Sequence, residues 1–298
     1  MSPTLPGWSE QVVTFGPSRE LVGILASPTV PRSAPAILIL NAGILHRVGP
    51  NRLHVELARR VATRGHRALR FDLAGIGDSP ARRDSRDLGD GVKADIDAAI
   101  ALLASPSGVV VLGLCAGADN ALRAAARNPQ VVGAVLLDPT VFRTPGWYVR
   151  RARLRARDPA SWRRLGRVAL ASFTRVRERL APRAADARTT GPVKEEGRPE
   201  FFYTGFSTVL EVEAHLLAAL AKGVQLYYAF TGGWSEIYNY ETQLLDNHPR
   251  VDFGGHLRLR WNPDADHTYT PRPRRDALLH DLDEWLGGTY FASPRLWA

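Results

Sequence analysis

Short apolar runs that alternate with helical patterns are the feature that most constrains what this chain can fold into. The first two runs, EQVVTF and ELVGILAS, lie on either side of GPSR, a turn sequence that predicts an antiparallel hairpin. Six more runs lie at 35–43, 67–75, 108–114, 131–139, 223–233 and 257–265. The middle runs are nearly all apolar, as parallel strands covered on both faces should be. The alternation predicts an α/β fold, with a mostly parallel eight-stranded sheet flanked by helices.

Residues 142–206 interrupt this alternation. Apolar residues recur at helical spacing from Trp162 to Leu180, with arginines between them, and the following stretch is rich in proline, glycine and charge. Such a stretch has too little apolar surface to order itself, which favours a flexible loop. Since 298 residues suit one large α/β domain, we interpret 142–206 as an Arg-rich helical lid within a single domain spanning 1–298.

The positive charge of the chain is concentrated in this insertion. Fifteen arginines and one lysine against five acidic residues give 143–198 a net charge of +11, so the other residues together carry −2 of the total +9. Because the arginines alternate with apolar residues at helical spacing, they favour a solvated helix face over a nucleic-acid surface. The alternative is a docking patch for an acidic carrier protein, the phosphates of CoA or anionic lipid.

Cysteine content and hydropathy indicate the cellular context. The single cysteine, Cys115, cannot form an internal disulfide, so nothing in the sequence indicates an oxidising compartment. The N-terminal residues lack the basic and apolar regions of a signal peptide. No uninterrupted run of about 18 apolar residues is present, so a membrane span is not expected. The simplest location is the cytoplasm.

The stretch GLCAGADNAL, at 113–122, places Cys115 between an apolar run and an alanine-rich helical pattern. A nucleophile held between a strand and a helix needs a sharp turn, and glycines two residues before and after it relieve the crowding. The turn would project the thiol beside the positive end of the helix, where the thiolate is favoured. A lone cysteine in an apolar context is otherwise typical of a small buried core residue.

The chain offers partners for such a nucleophile. His267, in the stretch NPDADHTYT, follows the last apolar run and is the candidate general base. The backbone N–H of Ala116, directly after the cysteine, is one candidate donor for an oxyanion hole. A second donor would come from the stretch NAGILHRVGPN, where Gly43 or Ile44 lies in a turn of small residues.

Over nearly its whole length the chain resembles the α/β-hydrolases. RFDLAGIGDS, at 70–79, resembles a strand and turn of many members, and GLCAGA resembles their nucleophile elbow, usually written with serine. Together with ADIDAAIALL, DPTV and DADHTYT, these motifs most closely resemble the exosortase-A-system-associated hydrolases, which also carry cysteine in the elbow. Dienelactone hydrolases are a more distant cysteine-bearing group. The resemblance implies a catalytic order of nucleophile, acid and histidine.

The acid departs from the family pattern. The position that matches the usual aspartate is Trp234, which has no carboxylate and is not expected to orient a histidine. Glu236, two residues further on, is the preferred candidate, and Asp138, at the end of the sixth strand, is the second. Asp266 is the sequence neighbour of the histidine and is expected to point elsewhere.

These residues predict acyl transfer through an acyl-thioester on Cys115, with His267 as base. Esterase, thioesterase and acyltransferase activities are all compatible with this chemistry. The expected substrate is a small acyl compound, delivered as a CoA or carrier-protein thioester that docks on the basic insertion, and no cofactor or metal is expected. The alternative is an α/β-hydrolase-fold binding protein with weak or no catalysis, which the tryptophan at position 234 favours.

Overall fold

The structure is a computed structural model that describes residues 7–157 and 205–291. Its chain divides into two compact units. The larger unit comprises Met1–Phe142 and Phe202–Ala298, and the smaller unit comprises Arg143–Phe201. The larger unit contains the sheet and every candidate catalytic residue.

Eight strands form one sheet. They are β1 (Trp8–Phe15), β2 (Leu21–Pro28), β3 (Ala36–Ile39), β4 (Ala68–Phe71), β5 (Val109–Leu114), β6 (Val131–Leu137), β7 (Gln225–Thr231) and β8 (Leu257–Asn262). Their order across the sheet is β1-β2-β4-β3-β5-β6-β7-β8. β1 pairs with β2, and β2 with β4, in antiparallel fashion, whereas all other neighbours are parallel. The predicted opening hairpin and mostly parallel eight-stranded sheet are therefore confirmed.

Helices connect the strands. In the larger unit they are α1 (Leu53–Thr63), α2 (Leu88–Leu103), α3 (Ala116–Arg127), α5 (Val209–Leu220), α6 (Gln243–Asn247) and α7 (Arg272–Tyr290), and the smaller unit contains α4 (Pro145–Arg157). Polar side chains cap two of the helix starts: Asp87 accepts the Asp90 amide before α2, and Thr208 accepts the Glu211 amide before α5. Among the described residues, no helix has the length and apolar content needed to span a membrane.

The two faces of the sheet bury separate apolar clusters. In β5, Val109 and Val111 pack into one cluster, whereas Val110, Leu112 and Leu114 pack into the other. This alternation follows from the two-residue period of a strand. Because β5 is buried on both faces and lies between β3 and β6, the loops that follow these three parallel strands meet at one edge of the sheet.

The smaller unit is described only in part. Its helix α4 carries Arg150, Arg151, Arg153, Arg155 and Arg157 and no acidic residue. Three apolar side chains of α4 are also exposed, namely Tyr148, Val149 and Leu154. The helical pattern from Trp162 to Leu180 and the loop that follows it lie outside the described residues.

Candidate active site

Cys115 is the single residue between the end of β5 and the start of α3. It has φ 57° and ψ −124°, a conformation that L-residues rarely adopt. Its backbone is nevertheless fixed, since its N–H donates to Leu137 O at 2.9 Å and its carbonyl accepts the Ala118 N–H at 2.9 Å. The thiol belongs to a partly exposed side chain. A strained turn that presents a reachable thiol at the end of a buried strand is suited to nucleophilic attack.

The flanking glycines are required by close backbone contacts. A Cβ on Gly113 would lie 2.1 Å from the carbonyl carbon and oxygen of Gly117. A Cβ on Gly117 would lie 2.4 Å from the carbonyl oxygen of Asn41, in the loop after β3. Both distances are far too short for a side chain. The end of β5, the start of α3 and the loop after β3 can therefore approach this closely only because both residues are glycine.

His267 is bonded to Asp138. The imidazole Nδ1 lies 2.8 Å from Asp138 Oδ2, and the carboxylate is fully buried. Asp138 follows the last residue of β6, and β6 is the neighbour of β5. The carboxyl ends of the two parallel strands thus bring Asp138 and Cys115 to the same edge of the sheet.

Asp138 is held by further hydrogen bonds. Oδ1 accepts the Thr231 amide at 2.7 Å, and Oδ2 accepts the Thr231 hydroxyl at 2.6 Å. The Asp138 N–H donates to Ala229 O at 2.8 Å, although Asp138 itself has φ 44°. These contacts with β7 fix the carboxylate in one orientation, as an acid that must align a histidine requires.

The other neighbour of His267 is Cys115, whose side chain interacts with the imidazole and raises its pKa. Burial lowers the pKa of His267, but hydrogen bonding to Asp138 and Cys115 and the negative charges of both partners outweigh burial and raise that pKa to about 9. The imidazole is therefore protonated at neutral pH. A protonated histidine beside a cysteine favours the thiolate–imidazolium pair.

The preference for Glu236 as the acid is corrected by this geometry. Glu236 is exposed, two residues beyond the short 3₁₀ turn Gly232–Trp234. The carboxylate that reaches the imidazole is that of Asp138, the second candidate. Asp266 turns away, as expected, since its carboxylate accepts the Thr270 amide at 2.8 Å.

Trp234 packs on the histidine. Its ring and the His267 ring are nearly parallel, with centroids 4.3 Å apart and planes 13° apart. The two preceding glycines permit this contact. A Cβ on Gly232 would lie 1.8 Å from Pro263 O, and one on Gly233 would lie 2.3 Å from the His267 amide nitrogen. The residue at the usual acid position thus covers the imidazole instead of accepting its proton.

The candidate oxyanion donors lie on two elements next to Cys115. Ala116 is the first residue of α3, so its amide has no acceptor within the helix. Gly43 has φ 59° and open space around the position of a Cβ, and Ile44 is 67% exposed. Both belong to the turn closed by the Leu45 N–H and Ala42 O. The loop that contains them contacts the elbow through Asn41 and Gly117.

Sequence reasoning missed the side chains that hold this loop. The Asn41 amide donates to Leu45 O at 2.8 Å and to Asp72 Oδ1 at 3.1 Å, and its oxygen accepts the Leu73 amide at 2.9 Å. Asp72 also accepts the Arg47 amide at 2.6 Å. Asp72 lies in the motif RFDLAGIGDS, which the sequence analysis singled out. The sequence does not show, however, that Asn41 and Arg47 are the residues that bond to it.

A second missed carboxylate is Asp119, in the first turn of α3. It accepts the Thr140 amide at 2.8 Å and the Thr140 hydroxyl at 2.6 Å. Burial raises the pKa of Asp119 to about 6, although the hydrogen bonds from Thr140 oppose that change. Thr140 lies two residues after Asp138, so Asp119 connects the loop that contains Asp138 to the helix that follows Cys115.

One group of potential metal ligands exists among the described residues. It consists of His46, Asp72 and Asp78. The Arg47 guanidinium forms ion pairs with both carboxylates, at 2.6 Å for Asp78. A side-chain cation therefore already neutralises these carboxylates, and the cluster lies in the network that supports the loop after β3.

A mostly parallel sheet with a strained turn after β5, and a histidine–carboxylate pair at the same edge, is the architecture of the α/β hydrolases. The family profile described as the alpha/beta hydrolase fold matches residues 35–190, just over half of the chain. The chain belongs to this family. No curated protein matches the sequence.

Solved structures resemble the chain over almost its full length. The esterase Pf2001 of Pyrococcus furiosus is 15% identical with a TM-score of 0.56, and the match covers 98% of this chain and 96% of the esterase. A dienelactone hydrolase of Anabaena variabilis is 16% identical, with a TM-score of 0.52 and coverage of 95% and 99%. A proline iminopeptidase of Mycobacterium smegmatis is 17% identical, with a TM-score of 0.54 and coverage of 94% and 99%. At these identities the likeness concerns the fold alone.

Proposed function

We propose that the protein is an acyl-transfer enzyme that cleaves ester or thioester bonds through an acyl-thioester on Cys115. The observation that carries the proposal is the chain of contacts from Cys115 through His267 to the buried carboxylate of Asp138. Nucleophile, histidine and acid in this arrangement activate a thiol and return its proton to a leaving group.

In the acylation step, the Cys115 thiolate attacks the acyl carbonyl carbon and forms the S–C bond. The carbonyl oxygen becomes an oxyanion that the amides of Ala116 and of Gly43 or Ile44 stabilise. The bond from carbon to the leaving oxygen or sulfur then breaks, and the His267 imidazolium donates its proton to that atom. The products are an acyl-thioester and a neutral imidazole.

In the deacylation step, the neutral His267 accepts a proton from water or another acceptor, which attacks the thioester carbon. The C–S bond breaks, and Cys115 leaves as a thiolate beside the regenerated imidazolium. Hydrolysis and transfer differ only in the acceptor, since a thioester reacts readily with water, alcohols, amines and thiols.

Two further observations support this proposal. The motifs around Cys115 resemble those of the exosortase-A-system-associated hydrolases, which carry cysteine at this position. Two of the similar structures are an esterase and a dienelactone hydrolase, and both names denote cleavage of an ester bond.

We propose in addition that the acyl donor is a phosphopantetheine thioester, held by CoA or by an acidic carrier protein. The support is the charge of the insertion, which contains all of the net positive charge of the chain. In α4, Arg153, Arg155 and Arg157 are exposed and have no acidic residue within the helix. Exposed guanidinium groups attract phosphates and carboxylates over about 10 Å at ordinary salt.

The proposed function is tested by intact-protein mass spectrometry after incubation with a panel of acyl esters and thioesters. We expect the wild-type protein to gain the mass of the acyl group at Cys115. Cys115→Ala should gain none while keeping its fold, because only a small side chain is removed. Cys115→Ser should acylate far more slowly, since serine needs a stronger base.

The pH dependence provides a second readout. The raised pKa of His267 means that the imidazolium is present below about pH 9 and is lost above it. Acylation by an ester with a poor leaving group should therefore fall above pH 9, whereas alkylation by iodoacetamide, which needs only the thiolate, should not fall. A protein that is neither acylated nor alkylated faster than an ordinary thiol would instead be a binding protein on a hydrolase fold.

A further inference from the structure

The stacking of Trp234 on His267 is the most specific contact of the site that the proposed chemistry does not use. The imidazole bonds Asp138 through Nδ1, at the edge of the ring, and Cys115 also interacts with it. Trp234 instead covers a face, with centroids 4.3 Å apart. Its position depends on two glycines whose substitution would drive a Cβ into the His267 loop.

We propose that Trp234 is a positioning residue for His267, whose indole face stabilises the protonated imidazole and keeps it aligned between Asp138 and Cys115. This inference rests on the proposed function only in giving His267 a catalytic task. Trp234 itself exchanges no proton and forms no bond with the substrate.

The physical reason is the charge distribution of the indole. An aromatic face carries partial negative charge, and tryptophan attracts a cation more strongly than tyrosine or phenylalanine. The two rings are stacked, with planes 13° apart and centroids 4.3 Å apart, so a positive charge on His267 lies close to the indole face. The neutral imidazole gains less from the same contact, and the difference favours the imidazolium and hence the thiolate.

The indole nitrogen gives independent support. Trp234 Nε1 is buried and has no hydrogen-bond partner among the described residues. An unpaired buried N–H costs free energy. If the only role of this residue were to cover the imidazole with an apolar ring, phenylalanine would do so without that cost. The larger indole face over His267 is the feature that compensates for this cost.

The other titratable groups near His267 do not provide the stabilisation of the imidazolium that is assigned to the indole face. Asp138 and Cys115 are the groups that contact the ring and raise its pKa. Asp266 is its chain neighbour, but its carboxylate is engaged by Thr270. Glu236 is exposed beyond the turn. Tyr269, also buried nearby, has a pKa raised by burial and remains neutral.

The test replaces Trp234 with phenylalanine and with leucine and measures the pKa of His267 by NMR. Trp261→Leu is the control, because that indole packs against Tyr238, with centroids 5.2 Å apart. We expect Trp234→Leu to lower the pKa of His267 by about 0.5 to 1.5 pH units. Trp234→Phe should lower it less, and Trp261→Leu should leave it unchanged.

The pH profile of Cys115 alkylation is the second readout. With a less stable imidazolium beside Cys115, alkylation of Trp234→Leu near neutral pH should be slower than that of the wild type. If Trp234→Leu does not fold, the comparison of Trp234→Phe with wild type decides, since a weaker stack must still lower the pKa.

An unchanged pKa of His267 and an unchanged alkylation profile in a folded variant would overturn the inference. The two readouts do not require turnover, so they separate this inference from the proposed function. A shifted pKa in a protein that never acylates would support the role of Trp234 while contradicting acyl transfer.

Discussion

Cys115 and Asp138 share an unusual backbone feature at the residue scale. Neither is glycine, yet they have φ of 57° and 44° directly after the neighbouring strands β5 and β6. Each such conformation costs about 1–3 kcal/mol and persists only where surrounding contacts over-determine it. For Asp138 those contacts are the hydrogen bonds from Thr231 and His267. The strain directs both side chains toward one histidine.

The acid assignment leads to a paired prediction. Asp138→Asn should lower the acylation rate by about 10²-fold, at the lower end of the range for acid–base groups, because a cysteine depends less on the acid than serine does. Glu236→Gln should change it less than about twofold, since Glu236 is exposed. Steady-state rates with one thioester substrate provide the measurement. A larger loss in Glu236→Gln would contradict the assignment of Asp138.

At the scale of elements, the turn between β5 and α3 depends on how closely backbone segments approach each other. Gly113 and Gly117 contact each other, and Gly117 also contacts the carbonyl of Asn41. Backbone atoms cannot move aside as a side chain can, so a methyl group at either position requires the strand, the helix or the loop to shift. The shift would also move Cys115 relative to His267.

A glycine pair tests this account. Gly117→Ala should lower the free energy of unfolding by about 1–3 kcal/mol because of overpacking. Gly288→Ala is the matched control, because Gly288 lies in α7 with no atom within 4 Å of an added Cβ. It should stabilise the protein by about 0.5–1 kcal/mol. Chemical denaturation measures both, and equal effects would show that the elbow tolerates a side chain.

At the scale of the whole molecule, charge is distributed unevenly. The segment 143–198 has a net charge of +11, while the rest of the chain carries −2. A field concentrated in one segment raises the encounter rate with anionic partners without altering the chemistry at the nucleophile. The proposed docking of a phosphopantetheine donor therefore concerns binding and not turnover.

Charge reversal in α4 tests this proposal. Arg153→Glu with Arg157→Glu should raise the KM for an acyl-CoA or an acyl carrier protein several-fold and barely change the kinetics of a small neutral thioester. The effect should shrink as salt rises, since exposed charges are screened. Comparing the CoA donor with the carrier protein identifies which of them the helix attracts.

The matched control changes the net charge equally elsewhere. Arg83→Glu with Arg250→Glu also alters the charge by −4, at two exposed positions outside the insertion. If this pair raises the KM as much as the α4 pair does, then total charge and not the helix is responsible. Equal losses with charged and neutral substrates would contradict docking altogether.

The sequence by itself determined the strands, the opening hairpin and the sharp turn at Cys115. The eight apolar runs became eight strands, and GPSR became the turn of the antiparallel hairpin, because strand periodicity and turn residues are local properties. The glycines around Cys115 likewise predicted a sharp turn, since only a crowded backbone requires glycine at both positions.

Only the tertiary structure decided which carboxylate meets the histidine. Asp138 and His267 are 129 residues apart in the chain, and their contact follows from the order of β6, β7 and β8 in the sheet, which the sequence does not display. Sequence proximity favoured Glu236, but the Gly232–Trp234 turn brings the Trp234 ring, not the carboxylate, to His267. Long-range pairing at the sheet edge is a property of packing, so local patterns cannot specify it.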